Sequence, residues 1–185
     1  VIQWVHRSTR GWSYGNSLVD PRTGEIIQGR VSLGSLRDRQ DFLIAEGLLA
    51  PYDKTNTASP KLLEMVLARL RQLSAHEVGH TLGLRHNFRA STIHSFEQAQ
   101  DPSVTGREGL TGSVMDYIPT NIAARGGKQG EYHQSTLGPY DYWAIEYAYK
   151  PLNASSMEAE ESELKKIAQR AAEPLLAYDT DEDAG

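Results

Sequence analysis

Residues 76–86 read HEVGHTLGLRH, with three histidines arranged around a glutamate and a glycine. His76 and His80 are four residues apart, so on a helix both imidazoles project from one face and can point at one ion. Zinc prefers tetrahedral coordination, so a third imidazole has to approach from a direction that the helix axis does not offer. Gly83 allows the turn, because glycine takes positive φ cheaply at a helix C-terminus. The spacing predicts that His86 completes a three-histidine zinc site.

A glutamate beside the first histidine gives this arrangement a chemical use. Three protein ligands leave the fourth zinc position for water, and zinc lowers the pKa of that water to about 7. Glu77 lies next to His76 but does not easily ligate the same ion, so its carboxylate is predicted to face the open position. The pattern predicts hydrolysis by a zinc-activated water, with Glu77 as general base and then general acid.

The segment before the histidines is predicted to be a long helix. Ser59 is a candidate N-cap, Pro60 suits the first helical position, and no breaker follows until Gly79. One arc of this helix is apolar and continues into Glu77 and His80. Its members are Leu62, Leu63, Val66, Leu70 and Leu73. The buried face of the helix therefore changes from leucines to metal-ligand chemistry in its last turns.

The chain before this helix reads as strands and one short helix. Residues 1–34 alternate as strands do, with a hairpin predicted around DPRTGE at 20–25. Residues 35–49 read as a helix that Pro51 ends. Tyr14 to Leu18 or the strand 25–33 is a candidate edge on which an extended peptide is laid, and each reads equally well as an ordinary sheet strand.

The chain after the histidines reads as loops with two helices. Residues 87–112 and 121–138 are rich in turn-forming and polar side chains, which predicts loop. A helix is predicted from Pro139 onward, and another in the acidic tail after a Ser155-to-Glu158 capping box.

Composition excludes several kinds of protein and site. The chain has 185 residues and no cysteine, so a metal has to be held by His, Asp, Glu or Tyr. The sequence contains no run of eighteen apolar residues, so no membrane-spanning helix is predicted. The net charge of -5 is concentrated in residues 151–185, with nine acidic and three basic side chains, and the near-neutral remainder argues against nucleic-acid binding. Oligomeric state is left open.

The motif resembles the zinc-binding signature of the metzincin metalloproteases, in which a Met-turn follows downstream. Residues 113–117, SVMDY, match that second element. The resemblance implies that Met115 forms an apolar floor under the three imidazoles. It also implies a role for Tyr117 as a fifth zinc ligand or as a stabiliser of the oxyanion.

A wider resemblance sets the expected fold and domain limits. The stretches SYGNSLVDPRTGEI, HEVGHTLGLRHNF, GSVMDYIP and LGPYDYWAIEY are similar to the catalytic domain of large bacterial zinc-dependent metalloproteases. This implies an α+β, metzincin-like zincin: a twisted, mostly parallel sheet, an active-site helix, and a C-terminal subdomain with the Met-turn and a helix. The catalytic domain is expected over residues 1–152, truncated at its N-terminus, with an acidic helical tail or linker at 153–185. Export from a bacterial cell, to the periplasm, surface or medium, is expected on the same ground.

Other polar residues have plainer interpretations. His94 and His133 are either auxiliary ligands or solvated loop histidines, and the sequence favours the second. His6 is expected to pack within a strand. Asp116 either orients a ligand imidazole or caps its local turn, and the turn is favoured.

Two functions of different class follow. The favoured one is a zinc endopeptidase that acts on peptide or protein substrates. The alternative is a non-catalytic, zinc-stabilised binding or assembly module of a larger protein. Glu77 favours catalysis, because a structural ion needs no carboxylate beside an open position.

Overall fold

The computed structural model describes residues 1–7, 9, 12–49, 60–124 and 126–183. They fall into two units, one drawn from the ranges 1–85 and 132–135 and the other from 86–131 and 136–185. Pro51 and Ser59, with the helix end and the N-cap predicted there, lie outside the described residues. Strands and helices are both present, which agrees with the predicted α+β class.

The first unit contains a three-stranded sheet. Its strands are β1 (Ile2–Val5), β2 (Tyr14–Val19) and β3 (Ile26–Gly34), in the order β1-β3-β2. β1 runs parallel to β3, whereas β2 is antiparallel to it because a short turn joins the two as a hairpin. The hairpin prediction is confirmed. The predicted mostly parallel sheet is not confirmed by these described strands, since one of the two pairings is antiparallel.

Two helices pack with this sheet: α1 (Ser35–Leu49) and α2 (Pro60–Thr81). Both were predicted, and α2 begins at Pro60 as the sequence indicates. Val31 and Leu33 of β3 form a buried cluster with Leu73 of α2. The predicted apolar arc is wrong at Leu63, which is exposed, because the buried side of the helix is centred on Met65 and Val66 at that level.

Strand β2 lies directly against the end of α2 that carries the motif. A Cβ added at Gly15 would meet the Glu77 carbonyl oxygen at 1.9 Å, a distance at which no side chain fits. Glycine at position 15 therefore permits the close approach between β2 and the backbone of Glu77. The first unit thus fixes the first half of the motif on a helix that is held by the sheet.

The second unit begins with short helices where a loop was predicted. A 3₁₀ turn spans Ala90–Thr92, followed by α3 (Phe96–Ala99) and α4 (Pro102–Glu108). The loop prediction for 87–112 is wrong over these elements. The start of α4 has a local signal in the sequence: Asp101 directly precedes Pro102, and its side chain accepts from Ser103 N at 2.9 Å.

The rest of the second unit holds α5 (Pro139–Tyr149) and α6 (Met157–Gln169), then 3₁₀ turns at Arg170–Ala172 and Pro174–Leu176. Both helices were predicted, but the N-cap of α6 is Ser156 rather than Ser155, and its hydroxyl accepts from Ala159 N at 3.2 Å. Ile167 is buried, and its carbonyl accepts from the Trp143 indole N–H. The limit predicted between residues 152 and 153 stays a prediction.

The core of this unit includes side chains from the loops, the SVMDY segment and both helices. The buried apolar residues are Ala90, Leu110, Val114, Met115, Tyr140, Ala144, Ile167 and Leu176. Among the helices of the described residues, none has the length and apolar character needed to cross a bilayer.

Candidate metal centre

The first two histidines are presented by the last turns of α2. His76 is buried and His80 is half-buried. Their Nε2 atoms lie 3.2 Å apart, and the two rings meet edge to face. This is the pairing that the four-residue spacing predicts.

The chain then turns as the glycine predicts. α2 ends at Thr81, and Gly83 adopts φ +87°, in the left-handed region. Leu84 N donates to the Gly79 carbonyl at 3.0 Å, and Gly83 N donates to the His80 carbonyl at 3.1 Å. These two bonds form a Schellman motif with Gly83 in its αL position. Replacing Gly83 would strain the turn that leads to His86.

Two of the histidines have hydrogen-bond partners on the nitrogen that faces away from the cluster. His80 Nδ1 donates to the Leu84 carbonyl at 2.9 Å, and His86 Nδ1 donates to the Asp181 carboxylate at 3.0 Å. With the proton on Nδ1, the lone pair of each ring is on Nε2. Both imidazoles are therefore held in the tautomer that ligates a metal through Nε2.

The three histidines form a donor set that suits a metal ion. One ligand atom from each of His76, His80 and His86 lies within 4.8 Å of the others. In a tetrahedral site with zinc–nitrogen bonds of about 2.0–2.1 Å, two ligand nitrogens are about 3.3 Å apart. The separation of 3.2 Å between His76 and His80 matches this value. Three imidazoles without a thiolate are also a known ligand set of catalytic zinc, so the residues present fit this ion.

The two predicted catalytic side chains lie next to the histidines. Glu77 is buried and precedes His80 on the same helix. Tyr117 is 58% exposed, and its hydroxyl is 2.8 Å from His86 Nε2. The tyrosine oxygen thus contacts the nitrogen that would ligate the metal, on a side that solvent reaches.

Comparison with known families decides what kind of protein this is. A family model described as Met-zincin matches residues 58–185, more than half of the chain. The chain belongs to the Met-zincin family. The resemblance to metzincin-clan zinc metalloproteases is confirmed, and zinc is the cofactor that membership implies. Neither the curated proteins nor the solved structures give a match to this chain.

In this Met-zincin the SVMDY segment follows the histidines as a turn that is buried over residues 113–116 and exposed at Tyr117. Met115 is fully buried, and its carbonyl accepts from Asn87 N at 3.1 Å. That bond ties Met115 to the residue that directly follows His86. Its role as a floor under the imidazoles remains a prediction.

A carboxylate that the sequence did not single out holds this turn. Asp141, near the start of α5, accepts from the Ser113 hydroxyl at 2.5 Å and from Val114 N and Gly138 N, each at 2.9 Å. Burial raises the pKa of Asp141, and the three hydrogen bonds oppose that rise. The carboxylate anchors the turn to the first residues of α5.

Asp116 of this Met-zincin has a partner that neither interpretation of the sequence included. Its carboxylate accepts from Ser91 N at 2.8 Å, which ties the SVMDY turn to the 3₁₀ turn at Ala90–Thr92. Burial raises the pKa of Asp116, and hydrogen bonds from Ser91 and from the Tyr117 backbone within the local turn lower it.

The two remaining loop histidines differ from the expectation. His133 was expected to be solvated but is buried in the first unit, where burial and then the charges of Arg69 and Arg37 lower its pKa to about 4. His94 is half-buried, and its Nε2 donates to the Gly109 carbonyl at 2.9 Å. The prediction that both histidines are solvated rests on the polar composition of their loops, and composition does not show which loop residues are packed against the rest of the protein.

Proposed function

We propose that this Met-zincin is a zinc-dependent endopeptidase. The observation that carries the proposal is the convergence of three imidazoles beside Glu77 at the end of α2. His76, His80 and His86 would hold zinc, which when bound activates a water and polarises the scissile carbonyl. A structural site needs no buried carboxylate next to its ligands, so Glu77 supports hydrolysis over the zinc-stabilised binding module.

Glu77 is assigned the proton transfers. Its carboxylate takes a proton from the attacking water as the new carbon–oxygen bond forms. It then gives that proton to the amide nitrogen as the carbon–nitrogen bond breaks, so the products are a carboxylic acid and an amine. The Tyr117 hydroxyl, which already contacts His86 Nε2, is assigned a hydrogen bond to the developing oxyanion.

The sheet offers a place for an extended peptide. Of the two candidate strands, β3 is paired on both sides, whereas β2 is an edge among the described strands. β2 also lies against the backbone of Glu77 at Gly15. These two facts support β2 as the strand to which substrate is added, with backbone hydrogen bonds giving affinity without regard to side chains.

The test compares two substitutions of the same type on α2. Glu77→Gln, in protein loaded with one equivalent of zinc, should reduce kcat on an unfolded protein or a quenched peptide library by about 10²–10⁴-fold. Zinc content should not change. Glu64→Gln is the matched control, because Glu64 is exposed on the same helix, and it should behave as wild type.

The outcome separates the two functions. If wild type cleaves none of these substrates while it binds zinc, the endopeptidase proposal fails and the binding module is favoured. If Glu77→Gln cleaves at the wild-type rate, the role assigned to Glu77 is wrong. Export from a bacterial cell remains a separate prediction from the resemblance.

A further inference from the structure

His86 is hydrogen-bonded to a carboxylate from the far end of the chain. Both oxygens of Asp181 lie 3.0 Å from His86 Nδ1, although the two residues are 95 positions apart. The Tyr117 hydroxyl is 2.8 Å from the other ring nitrogen. His86 therefore has a partner on each nitrogen, and the one that fixes its tautomer comes from the acidic tail.

The tail segment 177–181 is held in place beside His86 by the residues that directly follow this histidine. Asn87 is fully buried, its Nδ2 donates to the Ala177 carbonyl at 3.1 Å, and its Oδ1 accepts from Asp179 N at 3.3 Å. Phe88 N donates to the Asp179 carbonyl at 2.8 Å. These three bonds fix the backbone of the segment two residues before Asp181.

The same segment is also held by packing. Leu176, just before it, is buried, and Tyr178 stacks on Tyr140 of α5 with ring centroids 5.5 Å apart. The position of Asp181 is therefore set by hydrogen bonds and by packing together.

We propose that Asp181 is a positioning residue of the metal centre, which acts on zinc through His86. The inference rests on the proposed zinc site, but not on peptidase activity. A carboxylate that accepts from Nδ1 holds the imidazole with its lone pair on Nε2, fixes the ring orientation and makes Nε2 a stronger donor. Segment 177–181 is then part of the metal centre, because the hydrogen bonds of Asn87 and Phe88 hold it beside His86.

Zinc affinity tests the assignment. The dissociation constant is measured by competition with a chromophoric chelator, on the full chain. Partners of this type typically contribute 10–100-fold to metal affinity. Asp181 is half exposed, so we expect Asp181→Ala to weaken zinc binding by about tenfold, at the lower end of that range. Asp181→Asn should have a smaller effect, because its side-chain amide keeps a hydrogen bond to Nδ1, although it can either accept from Nδ1 through the oxygen or donate to it through the NH2 group.

Asp183→Asn is the matched control. Asp183 is exposed two residues further along the same acidic segment, and its loss removes one negative charge there. Its zinc dissociation constant should stay within about twofold of wild type. Equal effects of Asp181→Ala and Asp183→Asn would overturn the proposal, because the carboxylate would then act only through its general charge.

A second measurement covers the case in which Asp181→Ala lowers folding stability. In zinc-free protein, nitrogen NMR of labelled histidine should show His86 protonated on Nδ1 in wild type and a mixture of tautomers in Asp181→Asn and Asp181→Ala. An unchanged tautomer in both variants would overturn the assignment. If wild type cleaves no substrate and Asp181→Ala binds zinc more weakly than wild type, the endopeptidase is refuted and the role of Asp181 is supported. If wild type cleaves substrate and Asp181→Ala binds zinc as wild type does, the reverse holds.

Discussion

Histidines occur in two contrasting environments in this Met-zincin. His133 is buried close to Arg69 and Arg37, and burial first and then the charges of these two arginines lower its pKa to about 4. The motif histidines instead meet a carbonyl oxygen at His80 and a carboxylate at His86, both of which favour donation to a cation. His80 and His86 are only half-buried, so both the depth of burial and the sign of the neighbouring charges separate His133 from these two metal-ligand candidates.

The largest expected change in zinc affinity comes from replacing a motif histidine, and the same type of test at His133 serves as the comparison. His80→Ala removes a ligand, and about 3–4 kcal/mol per ligand corresponds to a zinc affinity about 10²–10³-fold weaker. His133→Gln should leave zinc affinity and stoichiometry as in wild type, since its surroundings are cationic. Chelator competition on both variants gives the comparison.

The contrast fails if His133→Gln loses zinc as His80→Ala does. That result would make His133 part of the centre. Circular dichroism of the zinc-free proteins should accompany the titration, so that an unfolded variant is not counted as one that has lost a ligand.

The next effect is the contribution of His133 to the pH dependence of stability. Its pKa is lowered in the folded state from 6.5 to about 4, so the unfolded chain binds the proton more readily. Stability from this group is fully present above pH 6.5 and is lost as pH falls from 6.5 towards 4. The loss is about 3 kcal/mol at most, from 1.36 kcal/mol per unit of pKa.

Urea unfolding of zinc-free wild type and His133→Gln between pH 7.5 and 4 measures this difference. The variant should lose less stability than wild type over the acid half of the range. Because both proteins contain the motif histidines, the contribution of those groups cancels in the comparison. Parallel curves for the two proteins would mean that His133 does not titrate differently on folding.

The smallest effect is expected at Tyr117. Loss of one oxyanion donor in an enclosed site lowers kcat by about 10²–10³-fold, but this side chain is largely exposed, so Tyr117→Phe should lower kcat by about tenfold. Zinc affinity should change little, because the three imidazoles remain. A kcat equal to that of wild type would remove Tyr117 from the proposed mechanism.

The first half of the site could be predicted because its determinants are local. A spacing of four places His76 and His80 on one helical face, and a glycine at the end of a helix predicts the αL turn that the structure has at Gly83. The hairpin was likewise predicted from its turn residues, and the helix from Pro139 was predicted from the proline at its first position.

The supporting residues could not be predicted, because they depend on long-range packing. Asp181 meets His86 across 95 residues, and the acidic residues around it predict a helical tail or linker rather than a partner for a metal ligand. Asp141 reads as one polar residue in an aromatic helix, yet it accepts three hydrogen bonds from the SVMDY turn and Gly138. His133 lies in a polar stretch, and only its packing in the first unit reveals that it is buried.

A crystal structure of the full chain grown with one equivalent of zinc tests the central claim most directly. We predict one zinc ion bound through Nε2 of His76, His80 and His86, with the Glu77 carboxylate facing a position open to solvent. A zinc ion bound elsewhere, or a His86 imidazole turned away from the other two, would contradict the account.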